Sequence, residues 1–182
     1  MRTIAVVNQK GGSGKTTSAI NTAAALAETG HRTLLVDMDS QGHCALGLGV
    51  PLDQVTATIS DLLVRGLQQG PDLSEHVWQV TGQLYLAPCD GRLANLDHKL
   101  ADAPDGMRRL TQVLDRVSDD YQFCVIDCGP HWGMLTRNAI LAADLVMVPV
   151  DACYYALSGT QATEQCIVAA CRQGAHQSKI CY

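Results

Sequence analysis

A glycine-rich segment near the N-terminus carries the residue types that bind phosphate. Residues 8–17 read NQKGGSGKTT and lie between a run of apolar residues and a helical pattern. Because glycine has no Cβ, the backbone at Gly11, Gly12 and Gly14 can turn its N–H groups toward an anion, and the dipole of the following helix favours negative charge there. Lys15 supplies a full positive charge for the β- and γ-phosphates of a nucleotide. The segment therefore predicts a phosphate-binding loop.

The other residues of this loop add a metal ligand and a second cation. Thr16 carries a hydroxyl suited to Mg²⁺, which prefers hard oxygen ligands, and Ser13 and Thr17 complete the predicted nucleotide-binding set. The standard P-loop pattern has a glycine where this chain has Gln9. Lys10 stands directly before the double glycine, although one loop needs only one lysine for its phosphates. Lys10 therefore indicates a second role, and a solvated surface lysine is the alternative.

Three aspartates at the ends of predicted strands could hold a metal ion and a water molecule. Asp37 and Asp39 are two residues apart, so an extended backbone would project both carboxylates to the same side. One could organise water bound to Mg²⁺ while the other orients the attacking water, because phosphoryl transfer depends mainly on positioning and charge neutralisation. Asp127 ends an apolar strand, where an unpaired carboxylate is costly, and we assign it to the outer shell of the same Mg²⁺. The alternative for Asp37 and Asp39 is that each only caps the turn that follows it.

The elements that must position these residues alternate between short apolar runs and longer helical patterns. Such alternation predicts an α/β fold, a doubly wound and mostly parallel sheet with helices on both faces, as in P-loop nucleotide hydrolases. The expected strands cover residues 3–8, 33–37, 84–87, 123–127 and 145–150. The expected helices cover residues 16–29, 91–100, 107–117, 133–143 and 158–172.

The chain is long enough for one domain, which we expect to cover residues 1–182. Prolines and glycines punctuate residues 47–82, and we expect this stretch to be a surface insertion. At residues 180–182 the chain stops where an α/β protein would be starting another strand, so we expect the domain to lack its last strands and helices.

Composition excludes several classes of protein. Hydrophobic residues make up 47 % of the chain and charged residues 17 %, which is typical of a globular protein and not of a disordered one. The eight cysteines follow no paired spacing and are expected to be reduced thiols in a cytoplasmic protein. We expect no export signal and no membrane span. With a net charge of −5 and no basic cluster denser than Arg108 and Arg109, the chain does not carry the charge pattern of a DNA-binding domain.

Four segments together resemble the deviant-Walker-A ATPases typified by the ParA partition proteins, with the MinD cell-division regulators as cousins. They are KGGSGKTT at residues 10–17, VDMDSQG at residues 36–42, the Walker B strand at residues 123–127, and YYAL at residues 154–157, which is closer to ParA than to MinD. The resemblance covers nearly the whole chain. One departure follows Asp127, where the family usually has Thr-Pro-Pro-Ser and this chain has Cys-Gly-Pro-His.

The resemblance implies roles for individual residues and for partners. Lys10 would reach across a two-fold interface to the nucleotide of the partner, and Asp39 would orient the attacking water, so that Lys10, Lys15 and Asp39 form the catalytic set. The implied ligands are ATP and Mg²⁺, and the ATP-bound form would be a homodimer. A ParB-like partner would stimulate an otherwise slow hydrolysis, and nonspecific DNA would be the track in chromosome or plasmid partitioning.

Two other functions remain open at the level of sequence. The chain could be a catalytically inactive, truncated remnant that binds nucleotide without hydrolysing it. It could also be a small-molecule kinase or synthetase of the same superfamily, although no substrate-binding residues are recognisable near the phosphate loop.

Overall fold

The computed structural model describes residues 1–65, 76–151 and 156–182. The strands in these ranges are β1 (Arg2–Val6), β2 (Thr33–Met38), β3 (Trp78–Gln79), β4 (Leu84–Ala87), β5 (Phe123–Cys128), β6 (Leu145–Met147) and β7 (Lys179–Cys181). The α-helices are α1 (Lys15–Glu28), α2 (His43–Gly47), α3 (Ile59–Arg65), α4 (Leu96–Asp102), α5 (Arg109–Asp115), α6 (Met134–Ala142) and α7 (Ala156–Gln173). Short 3₁₀ helices cover Leu52–Gln54, Gly91–Asn95 and Gly106–Arg108.

The described strands form one sheet in the order β3-β4-β2-β5-β1-β6-β7. Every neighbouring pair is parallel except β3 and β4, which are antiparallel. The predicted doubly wound, mostly parallel α/β fold is confirmed. Because β2, β5 and β1 are adjacent and parallel, the loops that follow them meet at one edge of the sheet, where ligands of such sheets bind.

The face of the sheet beneath α1 determines where the acidic side chains lie. Side chains alternate between the two faces of a strand, and Leu35 of β2 and Val125 of β5 pack toward α1, whose buried side is made of alanines. Asp37 and Asp127 follow these two residues by two positions, so each continues the same row. The alternation thus directs both carboxyl groups toward the N-terminal end of α1.

The stretch expected to be a surface insertion contributes to the core. Ile59, Leu62 and Leu63 of α3 are at most 1 % exposed, and Trp78 and Gln79 pair with β4 as an edge strand. Apolar residues at positions i, i+3 and i+4 share one face of a helix, so α3 packs that face onto the sheet. For the buried residues of α3 the surface prediction is therefore wrong, whereas residues 66–75 lie outside the described part.

Near the end of the chain, one predicted strand is shorter than expected and one further strand is formed. The predicted strand over residues 145–150 ends at Met147, and Pro149 has no N–H to continue a ladder. Residues 179–181 form β7, parallel to β6, where the start of a strand was expected. Residues 152–155, with Tyr154 and Tyr155 of the YYAL motif, lie outside the described residues. None of the described helices combines the length and hydrophobicity that a bilayer-spanning segment needs.

Candidate functional site

An open cavity of about 470 Å³ lies at the edge of the sheet where β1, β2 and β5 end. Its walls come from the loop after β1, the start of α1, the loop after β2 and the loop after β5. The lining residues are Gly11, Gly12, Gly14, Lys15, Thr16, Thr17, Asp39, Gln41, His43 and Pro130. Seven of these ten were predicted from sequence as nucleotide-binding or catalytic residues.

The glycine loop leaves this cavity open. Gly12 has φ +74° and Gly14 has φ +82°, and Gly14 is the residue from which α1 starts. A Cβ added at Gly11, Gly12 or Gly14 would meet no atom within 4 Å. The space next to these three glycines is therefore unobstructed and lies beside the N-terminus of a 14-residue helix, an arrangement that suits an anion.

Lys15 begins α1 and lies between the loop and the acidic residues. Its side chain is buried, at 7 % exposure, and Nζ donates a hydrogen bond to the carbonyl oxygen of Lys10 at 3.1 Å. Burial lowers the pKa of Lys15, and the negative charges of Asp127 and Asp39 oppose that shift. The ammonium group is thus held beside carboxylates at the floor of the cavity.

Asp37 and Asp39 differ in what they contact, although they are two residues apart. Asp37 is fully buried and accepts backbone hydrogen bonds from Asp39 at 3.0 Å and from Cys44 at 3.1 Å. Burial raises the pKa of Asp37 to about 7, with the Asp127 charge adding to the shift. Asp39 lines the cavity, and its Oδ1 accepts a hydrogen bond from the backbone of Gln41 at 3.1 Å. Both residues cap the turn after β2, and Asp39 in addition faces the cavity.

Asp127 is fully buried next to Asp37. Its Oδ2 accepts a hydrogen bond from the thiol of Cys44 at 3.4 Å, and its Oδ1 has no hydrogen-bond partner in the described part of the chain. Burial raises the pKa of Asp127, against the opposing effects of the neighbouring Thr16 and Cys44 side chains and the Lys15 charge. The unpartnered oxygen beside Thr16 is a feature that a cation or its bound water would satisfy.

Lys10 lies outside the cavity, where its Nζ forms an ion pair with Asp151 at 2.7 Å. Both side chains are near 40 % exposed. Asn8 fixes the same region, since its Oδ1 accepts the backbone N–H of Lys10 at 2.9 Å and its Nδ2 donates to the carbonyl of Pro149 at 2.7 Å. Side-chain contacts thus connect the phosphate loop to the segment after β6.

The structure brings most of the predicted site together. Ser13 lies in the loop but is buried, and its Oγ has no partner among the described residues. Asp37, Asp127 and Lys10 are not among the residues that line the cavity. His43, Pro130 and Asp151 are neighbours of the site that were not predicted from sequence. Pro130 lies two residues after the end of the Walker B strand, and that position could have indicated its place at the cavity, but no local pattern marks Asp151.

The chain is similar in sequence to known proteins. The profile of the family AAA_31, described as an AAA domain, matches residues 1–178. The chain is 41 % identical over 160 residues to the chromosome partitioning protein ParA of Myxococcus xanthus, covering 87 % of this chain and 55 % of that protein. It is 40 % identical over 157 residues to the sporulation initiation inhibitor protein Soj of Bacillus subtilis, covering 86 % of this chain and 60 % of that protein. The chain thus spans a little over half the length of these relatives.

A solved structure of different function has a similar fold. Cobyrinic acid a,c-diamide synthase from Mycobacterium smegmatis, solved with an ATP analogue and magnesium, superimposes with a TM-score of 0.90 at 30 % identity. The match covers 99 % of this chain and 72 % of that one. Partition proteins and a biosynthetic enzyme are therefore both similar to this chain.

Proposed function

The chain belongs to the AAA_31 family of AAA domains and to the ParA-type deviant-Walker-A superfamily, and on that premise we propose that it is an Mg²⁺-dependent ATPase that acts as a dimerising switch. One observation carries the proposal: the open glycine loop and the buried ammonium of Lys15 face Asp39 across a single cavity. As in this family, the switch would position a chromosome, a plasmid or another body in the cell.

The residues around Asp127 fit a magnesium ion. The side chain of Thr16 lines the cavity beside Asp127, and the Oδ1 of Asp127 is buried without a partner among the described residues. Thr16 and Asp127 would hold the ion, with Asp127 acting through bound water. Asp37 would hold the turn beside them in place through its hydrogen bonds from the backbone of Asp39 and Cys44. When bound, Mg²⁺ would supply positive charge that neutralises the phosphate oxygens.

The remaining steps belong to the side chains and backbone of this chain. Backbone N–H groups of the glycine loop and the ammonium of Lys15 bind the phosphate oxygens, where negative charge increases during transfer. Asp39 accepts a hydrogen bond from the attacking water and orients it, and its own hydrogen bond from Gln41 fixes the carboxylate. Water attacks the terminal phosphorus and gives a proton to Asp39, the bond to the bridging oxygen breaks with its electron pair remaining on ADP, and ADP and phosphate leave.

Lys10 gives the switch its dependence on a partner. Its ion pair with Asp151 lies at the surface, so the ammonium can exchange Asp151 for the phosphates of a nucleotide bound to a second copy. A charge supplied across the interface would stabilise the transition state in the manner of an arginine finger. A ParB-like protein would stimulate this step, and nonspecific DNA would bind the dimer.

Size-exclusion chromatography with light scattering tests this proposal. With ATP and Mg²⁺ the mass is expected to rise from 19.5 kDa to twice that value, and without nucleotide it should not. Phosphate release measured on the same sample reports hydrolysis. An unchanged mass with only background hydrolysis would favour the alternative, a nucleotide-binding chain without activity.

The likeness to cobyrinic acid a,c-diamide synthase favours a second candidate, an ATP-dependent synthetase that acts on a small molecule. Phosphate release would then depend on an acceptor carboxylic acid and not on a protein partner or DNA. A screen of small carboxylic acids for stimulation of ADP formation separates the two candidates.

A further inference from the structure

Three buried side chains form a compact group behind the nucleotide cavity. A carboxylate oxygen of Asp37, a carboxylate oxygen of Asp127 and the Sγ of Cys44 all lie within 4.8 Å of one another. None of the three side chains reaches the surface. Cys44 belongs to the short helix α2, so three separate elements, β2, α2 and β5, meet at this point.

The separation of two of the three ligand atoms suits tetrahedral coordination of one ion. The Sγ of Cys44 and the Oδ2 of Asp127 are 3.4 Å apart. Zinc bonds of about 2.3 Å to sulfur and about 2.0 Å to oxygen, at a tetrahedral angle, place the two atoms about 3.5 Å apart. The existing geometry therefore needs little adjustment to receive such an ion between these two ligands.

Two further features of the group point to a cation. The Oδ1 of Asp127, which the proposed Mg²⁺ site also uses, is fully buried and has no hydrogen-bond partner among the described residues, and Asp37 lies opposite Asp127 in the register of β2 and β5. The oxygens of Asp37 are oriented by backbone hydrogen bonds from Asp39 and Cys44. Outer hydrogen bonds of this kind fix metal ligands in position.

We propose that Asp37, Cys44 and Asp127 form a binding site for a thiophilic divalent cation of the zinc class, with water as the fourth ligand. Its ligand set differs from that of magnesium, which takes oxygen ligands and does not favour sulfur. On binding, the S–H bond of Cys44 breaks, its electron pair forms the bond from sulfur to metal, and its proton is released to solvent together with any proton held by the two carboxyl ligands. The site shares Asp127 with the proposed nucleotide site, but it requires neither ATP nor hydrolysis.

Titration with Co²⁺ tests the site, because a cobalt–thiolate bond gives a charge-transfer band in the near ultraviolet that magnesium and oxygen ligands do not give. The experiment uses the full chain under reducing conditions without nucleotide. We expect one equivalent of Co²⁺ to produce the band and Zn²⁺ to displace it. Failure of the wild-type chain to produce the band would overturn the proposal.

Two cysteine variants identify the thiol that binds. Cys44→Ser keeps the volume of the side chain and is expected to lose the band and to weaken Zn²⁺ binding by more than about tenfold, since one of three protein ligands is replaced. Cys124→Ser is the matched control, because Cys124 is also fully buried, on β5, but is not one of the three grouped side chains. Persistence of the band in Cys44→Ser, or its loss only in Cys124→Ser, would assign the thiolate elsewhere and overturn the proposal.

Asp127→Asn provides a third measurement that does not alter a thiol. This variant retains Cys44 but replaces the second ligand, so we expect a Co²⁺ affinity at least about tenfold weaker than in the wild-type chain. Circular dichroism establishes that each variant is folded before titration. Wild-type affinity in a folded Asp127→Asn chain would contradict the proposed ligand set.

Discussion

Asp37 and Asp127 lie directly opposite one another in the register of the adjacent parallel strands β2 and β5, and both are fully buried. Two carboxyl groups so placed cannot both be ionised without a nearby positive charge. The ammonium of Lys15 is near enough for the negative charge of Asp127 to raise the pKa of Lys15, whereas burial of the ammonium lowers that pKa. The charges of Asp37, Asp127 and Lys15 are therefore coupled. Binding of a cation beside the two carboxyl groups would favour loss of their protons.

Asp37→Asn is expected to change how stability depends on pH. The native state holds the Asp37 proton up to a pH of about 7, whereas the unfolded chain releases it near the ordinary pKa of 3.8. Between these values the native state binds more protons, so the free energy of unfolding falls as pH rises. For this group the loss from pH 5 to pH 8 is about 2 to 3 kcal/mol.

Urea unfolding of the metal-free chain at pH 5 and pH 8 measures this effect. In Asp37→Asn the free energy of unfolding should no longer show the part of its pH dependence that comes from Asp37. The variant should also be about 1 kcal/mol less stable at pH 5, because an amide accepts only one of the two backbone hydrogen bonds. The exposed Asp53→Asn is the control and should keep the wild-type slope. Equal slopes in wild type and Asp37→Asn would show that Asp37 titrates normally.

Lys15→Ala is expected to weaken ATP binding by roughly 10- to 100-fold, because a charge-assisted contact to phosphate is lost. Isothermal titration calorimetry with ATP and Mg²⁺ measures the change. Lys99→Ala is the matched control, since Lys99 is exposed on α4 and does not line the cavity. If Lys15→Ala bound ATP as tightly as the parent, the glycine loop would not be the phosphate site.

Asp39→Asn separates hydrolysis from binding. The amide oxygen of asparagine can still accept the hydrogen bond from Gln41, so the turn should remain intact. We expect single-turnover hydrolysis to slow by about 100-fold or more, as for loss of a positioned base, with ATP affinity changed by only a few-fold. A variant that hydrolyses ATP at the parental rate would remove Asp39 from the mechanism.

Lys10 and Asp151 can be tested as a pair. Lys10→Ala should prevent ATP-dependent dimerisation and leave the mass at 19.5 kDa. Asp151→Asn removes the acidic partner seen at 2.7 Å, so Lys10 no longer has to break that ion pair in order to bind the nucleotide of the other copy. Because an exposed ion pair contributes at most about 1 kcal/mol, the affinity of the dimer should rise by up to about fivefold for each Lys10. Sedimentation over a dilution series measures both variants, and a weaker dimer in Asp151→Asn would contradict the exchange of partners.

Local sequence was sufficient to predict the features that depend on neighbours along the chain. The glycine loop, the start of α1 and the strand that ends near Asp39 all follow from patterns within about ten residues. The parallel sheet followed from the alternation of strands and helices. Prediction of the core failed at Ile59 and Leu63, because prolines and glycines on either side suggested a surface segment.

Contacts between distant parts of the chain could not be predicted. Lys10 and Asp151 are 141 residues apart, and Cys44 and Asp127 are 83 residues apart. Each contact depends on which strands are adjacent and on where a loop turns after its strand. The same limit applies to Asp37, whose burial behind the cavity results from the path of α2 and not from its own spacing to Asp39.

The backbone conformation of Gly12 and Gly14 limits which amino acids fit at these two positions. Space for a methyl group is open at both positions, yet both have positive φ angles, which strain an L-amino acid. Chirality and not size therefore restricts these two positions to glycine. A D-alanine, the mirror image that prefers positive φ, would suit the backbone that L-alanine strains.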